Sequence, residues 1–216
     1  MIPDGFTVWL TGLSCAGKTT LGRLLVGELA RRGVAAAHLD GGEARARLGP
    51  ELGLSPQDHH TANLRAAWAA GLVNRAGAAC VVSALAPLAA TRRELRAELG
   101  QYVEVFLDCP LEQLINRDAG GVYQQALERD GGREFSGLGG PWEPPEDPEV
   151  RCLTGQESPR ESLDKILAYL EAARLIPPAG ERAAPQPQAP SQGEGGAYTP
   201  EEEAKLTEQL KDLGYL

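Results

Sequence analysis

The segment that most restricts what this chain can fold into is Gly12-Leu13-Ser14-Cys15-Ala16-Gly17-Lys18-Thr19, which fits G-x-x-x-x-G-K-[ST]. Such a loop works only where a strand ends and a helix begins, and both neighbours are present. Phe6-Thr7-Val8-Trp9-Leu10 reads as a buried strand, and Leu21, Leu24, Leu25 and Leu29 follow at the spacing of one helical face, with Gly33 placed as a C-cap. The chemistry accounts for the residue types. Gly12 and Gly17 let the backbone curl into a nest of N–H groups that faces a phosphate chain, and the helix N-terminus adds partial positive charge. Lys18 neutralises the β- and γ-phosphates, and the Thr19 hydroxyl is a Mg²⁺ ligand. The expected ATP-binding set is therefore Gly12, Leu13, Ser14, Cys15, Ala16, Gly17, Lys18, Thr19 and Thr20, with Lys18 also catalytic.

Short β-rich runs alternate with helical patterns through the next hundred residues. Val34 to Leu39, Cys80 to Leu85 and Tyr102 to Leu107 read as strands, and Thr61 to Arg75 and Thr91 to Leu99 as helices. Strands separated by helices call for parallel crossovers, hence an α/β protein: a three-layer α/β/α sandwich with a mainly parallel sheet. Composition shifts after Ile176. Residues 1–175 are expected to form the folded domain and 176–198, rich in Pro, Ala and Gly, a linker. Residues 199–216 read as a short amphipathic helix, opened by Thr199 and Pro200, striped by Leu206, Leu210 and Leu213 and stopped by Gly214, that needs a surface to dock on.

Composition excludes other classes. A net charge of −9 argues against a general nucleic-acid binder, because phosphate backbones reward clustered positive charge. No stretch reaches ~18 uninterrupted apolar residues, so no membrane span is expected. The opening MIPDGFTVWL lacks the basic start of a secretory signal, so a cytoplasmic protein is expected. Cys15, Cys80, Cys109 and Cys152 show neither C-x-x-C pairing nor a nearby His at metal-ligand spacing, and Cys80 and Cys109 lie beside apolar runs as buried free thiols. Only four of the 21 basic residues are lysines, so a lysine inside the loop motif is informative. No N-K-x-D signature follows the loop, which favours a small kinase over a GTPase. Asp40, at the carboxyl end of the second strand, is placed to take the proton of an attacking hydroxyl or to orient Mg²⁺.

From here the chain resembles the adenylylsulfate (APS) kinases over roughly residues 5–170. The family's G-L-S-G-A-G-K-[ST]-T stands here as GLSCAGKTT, and L-D-G-D-x-x-R as LDGGEAR at 39–45. G-F-S-x-x-D-R followed by N-I-R corresponds to GLSPQDHHTANLR, and A-x-[IV]-S-P to ALAP at 84–87. EVFLDCPLE, RDAGGVY and FSGLGGPWEPP complete the ordered series. The resemblance implies a P-loop kinase that transfers the ATP γ-phosphoryl group to the ribose 3′-hydroxyl of APS, giving PAPS and ADP in sulfate activation. It implies Asp40 as catalytic and metal-binding carboxylate, and Thr19 as its partner on Mg²⁺. Arg45 and Arg65 would hold the phosphosulfate, Asn63 would hydrogen-bond the substrate, Phe135 would stack on an adenine, and Arg117 would cover the ATP adenine. A homodimer is also implied.

The chain departs from the family mostly on the acceptor side. Gly42 replaces the second Asp of D-G-D, Leu54 a Phe, Ala86 the Ser of I-S-P, Gly120 a lysine, and Cys15 a loop Gly. His59 or His60 stands where the family has Arg, and His59 is taken as the substrate-binding residue. At an ordinary pKa of about 6.5, a histidine in that role predicts activity rising as pH falls through that value. Cys15, near a helix N-terminus and Lys18, predicts a thiol pKa below the ordinary one. Two alternatives stand beside the APS kinase reading: a kinase for another small hydroxyl acceptor, and an ATP-binding interaction module with the tail helix as its contact.

Overall fold

A computed structural model describes residues 5–178 and Gly180; the expected linker and tail helix lie outside the described residues, apart from the linker's first few. The elements run β1 (Thr7–Thr11), α1 (Lys18–Arg31), β2 (Ala36–Asp40), α2 (Gly41–Leu48), α3 (Pro56–Arg75), β3 (Ala79–Ser83), α4 (Ala89–Leu99), β4 (Tyr102–Asp108), α5 (Leu111–Asn116), α6 (Val122–Asp130), β5 (Val150–Leu153) and α7 (Pro159–Ala172). The five strands form one sheet in the order β2-β3-β1-β4-β5, and every pairing is parallel. β1 lies at the centre, with Thr7 opposite Cys80 on one side and Tyr102 on the other.

Period-two alternation divides the core between the two sheet faces. Val8 and Leu10 of β1, with Val81 and Val105, pack with Leu21, Leu25 and Leu29 of α1 and Leu163, Ile166 and Leu170 of α7. Trp9, Cys80 and Val82 point the other way, to Ala66, Ala67 and Ala70 of α3 and Leu95 of α4. The alanine run in α3 lets that helix approach the sheet over Trp9, whose indole Nε1 donates to the Ala84 carbonyl at 3.2 Å. The expected three-layer sandwich is what forms. No helix among the described residues is long and apolar enough to cross a membrane.

Several boundaries differ from the sequence reading. Leu24 is 40% exposed, so the α1 stripe is carried by Leu21, Leu25 and Leu29. α3 begins at Pro56, five residues before the expected start, because Ser55 caps it: its hydroxyl accepts from the Asp58 N–H at 3.1 Å, with Pro56 in the first turn. α2 was not expected, since GGEARARL carries no apolar period; it exists because Asp40 caps it. Cys80, Cys109 and Cys152 are buried free thiols, and burial pushes Cys80 up to about 12.

Candidate active site

The loop between β1 and α1 is shaped by two glycines. Gly17, the α1 N-cap, sits at φ 97°, and a Cβ on Gly12, at φ 149°, would meet the Leu107 carbonyl oxygen at 2.6 Å. Lys18 opens α1 and folds its ammonium back over the loop, donating to the Gly12 and Leu13 carbonyls at 2.8 Å each. Burial lowers its pKa to about 8, opposed by the nearby Cys15 and Asp40.

Asp40 ends β2 and caps α2, so its carboxylate is fixed from three sides. Oδ1 accepts from the Gly42 N–H at 3.0 Å and the Glu43 N–H at 3.3 Å, while Oδ2 accepts from Thr19 Oγ1 at 2.6 Å. Burial alone would raise this carboxyl; the hydrogen bonds from Thr19, Glu43 and Gly42 outweigh it and hold it below the ordinary carboxylate range.

Two cavities open on either side of the loop. The first, about 260 Å³, is lined by Ser14, Lys18, Thr19 and Asp40 from the loop and β2, and by Arg45, His59, Asn63 and Phe135. Leu54 lines the same cavity as Phe135, and Phe135 is backed by the edge of Tyr123 with ring centroids 5.0 Å apart. The second, about 240 Å³, is lined by Cys15, Ala16, Gly17, Thr20 and Arg117. Gly12 and Leu13 line neither; they supply the carbonyls that hold Lys18.

Arg65 is not brought to the first cavity. Its Nη1 donates to the Leu48 carbonyl at 2.6 Å and to Glu51 at 2.5 Å, bracing α3 against the end of α2. His60 also turns away, with Nδ1 3.0 Å from Thr91 Oγ1 and Nε2 3.7 Å from Glu94, leaving His59 as the histidine of the pocket. Burial, reinforced by the Arg45 charge, lowers His59 to about 4. This corrects the expected titration near 6.5: the imidazole is neutral across the physiological range. The Cys15 expectation is also corrected. Burial and the adjoining Asp118 carboxylate, 3.7 Å from Sγ, raise the thiol pKa, and Lys18 only partly offsets them.

The sequence reading missed several groups. Glu134, beside Phe135, brings a carboxylate to the first cavity, and Ser83, Ala84 and Leu85 form its floor at the end of β3. Thr154 and Glu157 line the second; the Thr154 carbonyl accepts from Arg117 Nη2 at 2.8 Å. Glu134 had a sequence signal in its adjacency to the Phe135 motif, as Ala84 and Leu85 did in ALAP, while Thr154 and Glu157 had none. Tyr123 of α6 ties that helix to the loop, its hydroxyl donating to the Ser14 carbonyl at 3.0 Å. Asp118 caps α6 by accepting from the Val122 and Tyr123 N–H groups.

This arrangement suits phosphoryl transfer. A cationic nest separates two cavities, one of which ends on an ionised carboxylate. Among known proteins, the adenylylsulphate kinase family model matches residues 4–153. The adenylyl-sulfate kinase of Synechococcus sp. (strain JA-3-3Ab) is 42% identical over 169 residues, covering 78% of this chain and 95% of that protein. A probable bifunctional SAT/APS kinase 2 of Sorangium cellulosum is 44% identical over 181 residues, 84% of this chain, and the match spans only 31% of that longer protein. Among solved structures, the Mycobacterium tuberculosis APS kinase CysC in complex with AMPPNP and APS superposes with a TM-score of 0.72 at 35% identity, covering 78% of this chain and 99% of that one.

Proposed function

Because the chain belongs to the adenylylsulphate kinase family, we propose that it transfers the γ-phosphoryl group of ATP to the ribose 3′-hydroxyl of APS, releasing ADP and PAPS. The observation that carries this reading is the division of one loop between two cavities. Ser14, Lys18 and Thr19 face the cavity that ends on Asp40, while Cys15, Ala16, Gly17 and Thr20 face the cavity of Arg117. A donor in the second and an acceptor in the first would meet at Lys18.

In this reading the loop N–H groups, the α1 N-terminus and the Lys18 ammonium bind the ATP phosphates. Arg117 and Thr154 border the adenine. Arg45, His59 and Asn63 hold the acceptor, with its adenine between Leu54 and Phe135, and Asp40 takes the 3′-hydroxyl proton as the new P–O bond forms. Arg65 supports this cavity from behind, through the α2–α3 junction. Mg²⁺ suits the donors present: an ionised carboxylate and a hydroxyl, 2.6 Å apart, are the hard oxygen ligands it takes alongside substrate phosphates. Thr19 and Asp40 would hold it, and when bound it supplies charge neutralisation on the phosphate oxygens.

One observation favours a second reading, a kinase for a less anionic hydroxyl acceptor. The acceptor cavity carries the Glu134 carboxylate and a neutral His59. ADP release with and without APS decides. APS-dependent turnover supports the first reading, and turnover only with another alcohol supports the second. AMPPNP binding without turnover on either would leave an ATP-binding module.

A further inference from the structure

The floor of the acceptor cavity, at Ser83, Ala84 and Leu85, leads into a segment through Pro87 whose backbone is held by hydrogen bonds. The Leu85 carbonyl accepts from Asn63 Nδ2 at 3.0 Å, and the Ala86 carbonyl accepts from Arg92 Nη1 at 2.8 Å. The Ala86 N–H lies 3.4 Å from Thr11 Oγ1, and the Pro87 carbonyl accepts from the Glu143 N–H at 2.9 Å. Ala86 is itself fully buried and, as an alanine, brings no polar side chain to this segment.

Arg92, on the first turn of α4, is 6% exposed, and phosphoryl transfer makes no direct use of it. A buried guanidinium needs a partner, and it has one: Nε lies 3.1 Å from Oε1 of Glu104, which is 7% exposed in the middle of β4. The Glu104 backbone is fixed in turn. Its N–H donates to Glu149 at 2.7 Å, and Glu149 is gripped at 2.6 and 2.8 Å by both terminal nitrogens of Arg96. Arg92 therefore sets its Nε beside the Glu104 carboxylate and one terminal nitrogen on the Ala86 carbonyl, two directions from one planar group that a lysine cannot reproduce.

The consequence runs through Asn63, which is buried and lines the acceptor cavity. With one Nδ2–H committed to the Leu85 carbonyl, the orientation of the Asn63 amide is set, and with it the direction of its carbonyl oxygen and second N–H. We propose that Arg92 is a positioning residue for the acceptor: by holding the Ala86 carbonyl it fixes the Ala86–Pro87 peptide, and through the adjoining Leu85 carbonyl the amide orientation of Asn63. This inference rests on the phosphotransferase reading and deepens it, assigning to a buried ion pair outside the cavity a share of acceptor selectivity.

The test uses the full chain with Arg92→Lys, and with Arg92→Met combined with Glu104→Leu, which removes both buried charges together and so avoids stranding one. KM for APS is expected to rise by about tenfold in both, the cost of one charge-assisted hydrogen bond. AMPPNP affinity should stay within about twofold, because the phosphate loop is untouched. Asn63→Ala should raise KM in the wild type and add nothing in the Arg92→Lys background, whereas a merely structural role gives additive effects. An APS KM at the wild-type value in folded variants overturns the inference, as does additivity with Asn63→Ala. Failure of both variants to fold overturns it in favour of a scaffold role. Wild-type protein without APS-dependent ADP release overturns the function reading itself, a result distinct from any of these.

Discussion

Thr19 Oγ1 donates to Asp40 Oδ2 across 2.6 Å, joining the first turn of the nucleotide-binding helix to the carboxyl end of the neighbouring half of the sheet. The phosphate loop and the Asp40 carboxylate are thus held together. The same carboxylate caps α2 through the Gly42 and Glu43 N–H groups, so a shift of α2 would move the Asp40 carboxylate. Three hydrogen bonds to its charged form keep Asp40 ionised at neutral pH, the state required to take a proton.

Asp40→Asn should preserve the cap, because an amide oxygen still accepts from both N–H groups, while removing the basic oxygen. APS-dependent turnover should fall by about 10²–10⁴, the usual share of general-base assistance, with AMPPNP affinity in metal-free buffer little changed. Steady-state kinetics beside calorimetric titration separate the two effects. Turnover near the wild-type rate would take the proton-accepting role away from Asp40.

Lys18 has a lowered pKa of about 8, so the free enzyme loses this cation as pH rises through that value. The sign follows directly: the protonated form binds phosphate, and it dominates below the pKa. kcat/KM for ATP should therefore be level near neutrality and fall by about tenfold per pH unit well above it, since kcat/KM reports free-enzyme ionisations. Lys18→Ala should abolish ATP binding. Unchanged nucleotide affinity in that variant would sink the assignment of the loop.

The loop was legible in the chain because its demands are covalent and local. Gly12 and Gly17 adopt backbone angles that side chains resist, and Lys18 and Thr19 follow at fixed offsets. Asp40 was legible because a strand end points to the sheet's carboxyl edge. Arg65 and His60 were not, since the direction of a long or planar side chain depends on partners supplied from elsewhere: the Leu48 carbonyl and Glu51 for one, Thr91 for the other. The α2 helix escaped a reading based on apolar periodicity because a cap, not a stripe, creates it. Thr154 and Glu157 reach the second cavity only through the β4–β5 pairing, which no local pattern announces.

His59 sits at about 4, below the ordinary value for a histidine in an unfolded chain. KM for APS should accordingly show no histidine limb between about pH 5.5 and 7.5. Stability should show one. The unfolded chain takes up a proton near pH 6.5 that the folded state refuses until about 4, so this site's contribution is intact above about 6.5 and declines as pH falls toward 4. Urea midpoints should drop over that window, and His59→Gln should flatten the part of the drop that belongs to this site. An undiminished slope in His59→Gln would show that the imidazole titrates normally.

Cys15 also titrates opposite to its sequence context. Burial and Asp118 raise its pKa, so the thiol is the prevailing form at neutral pH despite the helix N-terminus and Lys18. Alkylation by iodoacetamide should be slow near neutrality and accelerate only at a more alkaline pH than for an unperturbed thiol, while Asp118→Asn should shift the rise to lower pH. A fast reaction at neutral pH in the wild type would return Cys15 to the class of activated thiols.

Tyr123 joins the two halves of the site through separable contacts. Its hydroxyl donates to the Ser14 carbonyl at 3.0 Å, and its ring edge meets Phe135 at a centroid distance of 5.0 Å. Tyr123→Phe removes only the hydrogen bond, leaving the half-buried Ser14 carbonyl short of a partner, at a cost of about 1 kcal/mol in stability. The ring remains, so the Phe135 wall and the KM for APS should hold. Tyr123→Leu removes the aromatic edge as well, worth about 0.5–1.5 kcal/mol beyond area burial, and frees Phe135 to tilt. Its KM for APS should rise several-fold above that of Tyr123→Phe, with a further fall in the thermal midpoint. Equal KM values in the two variants would show that Phe135 holds the acceptor without support from α6.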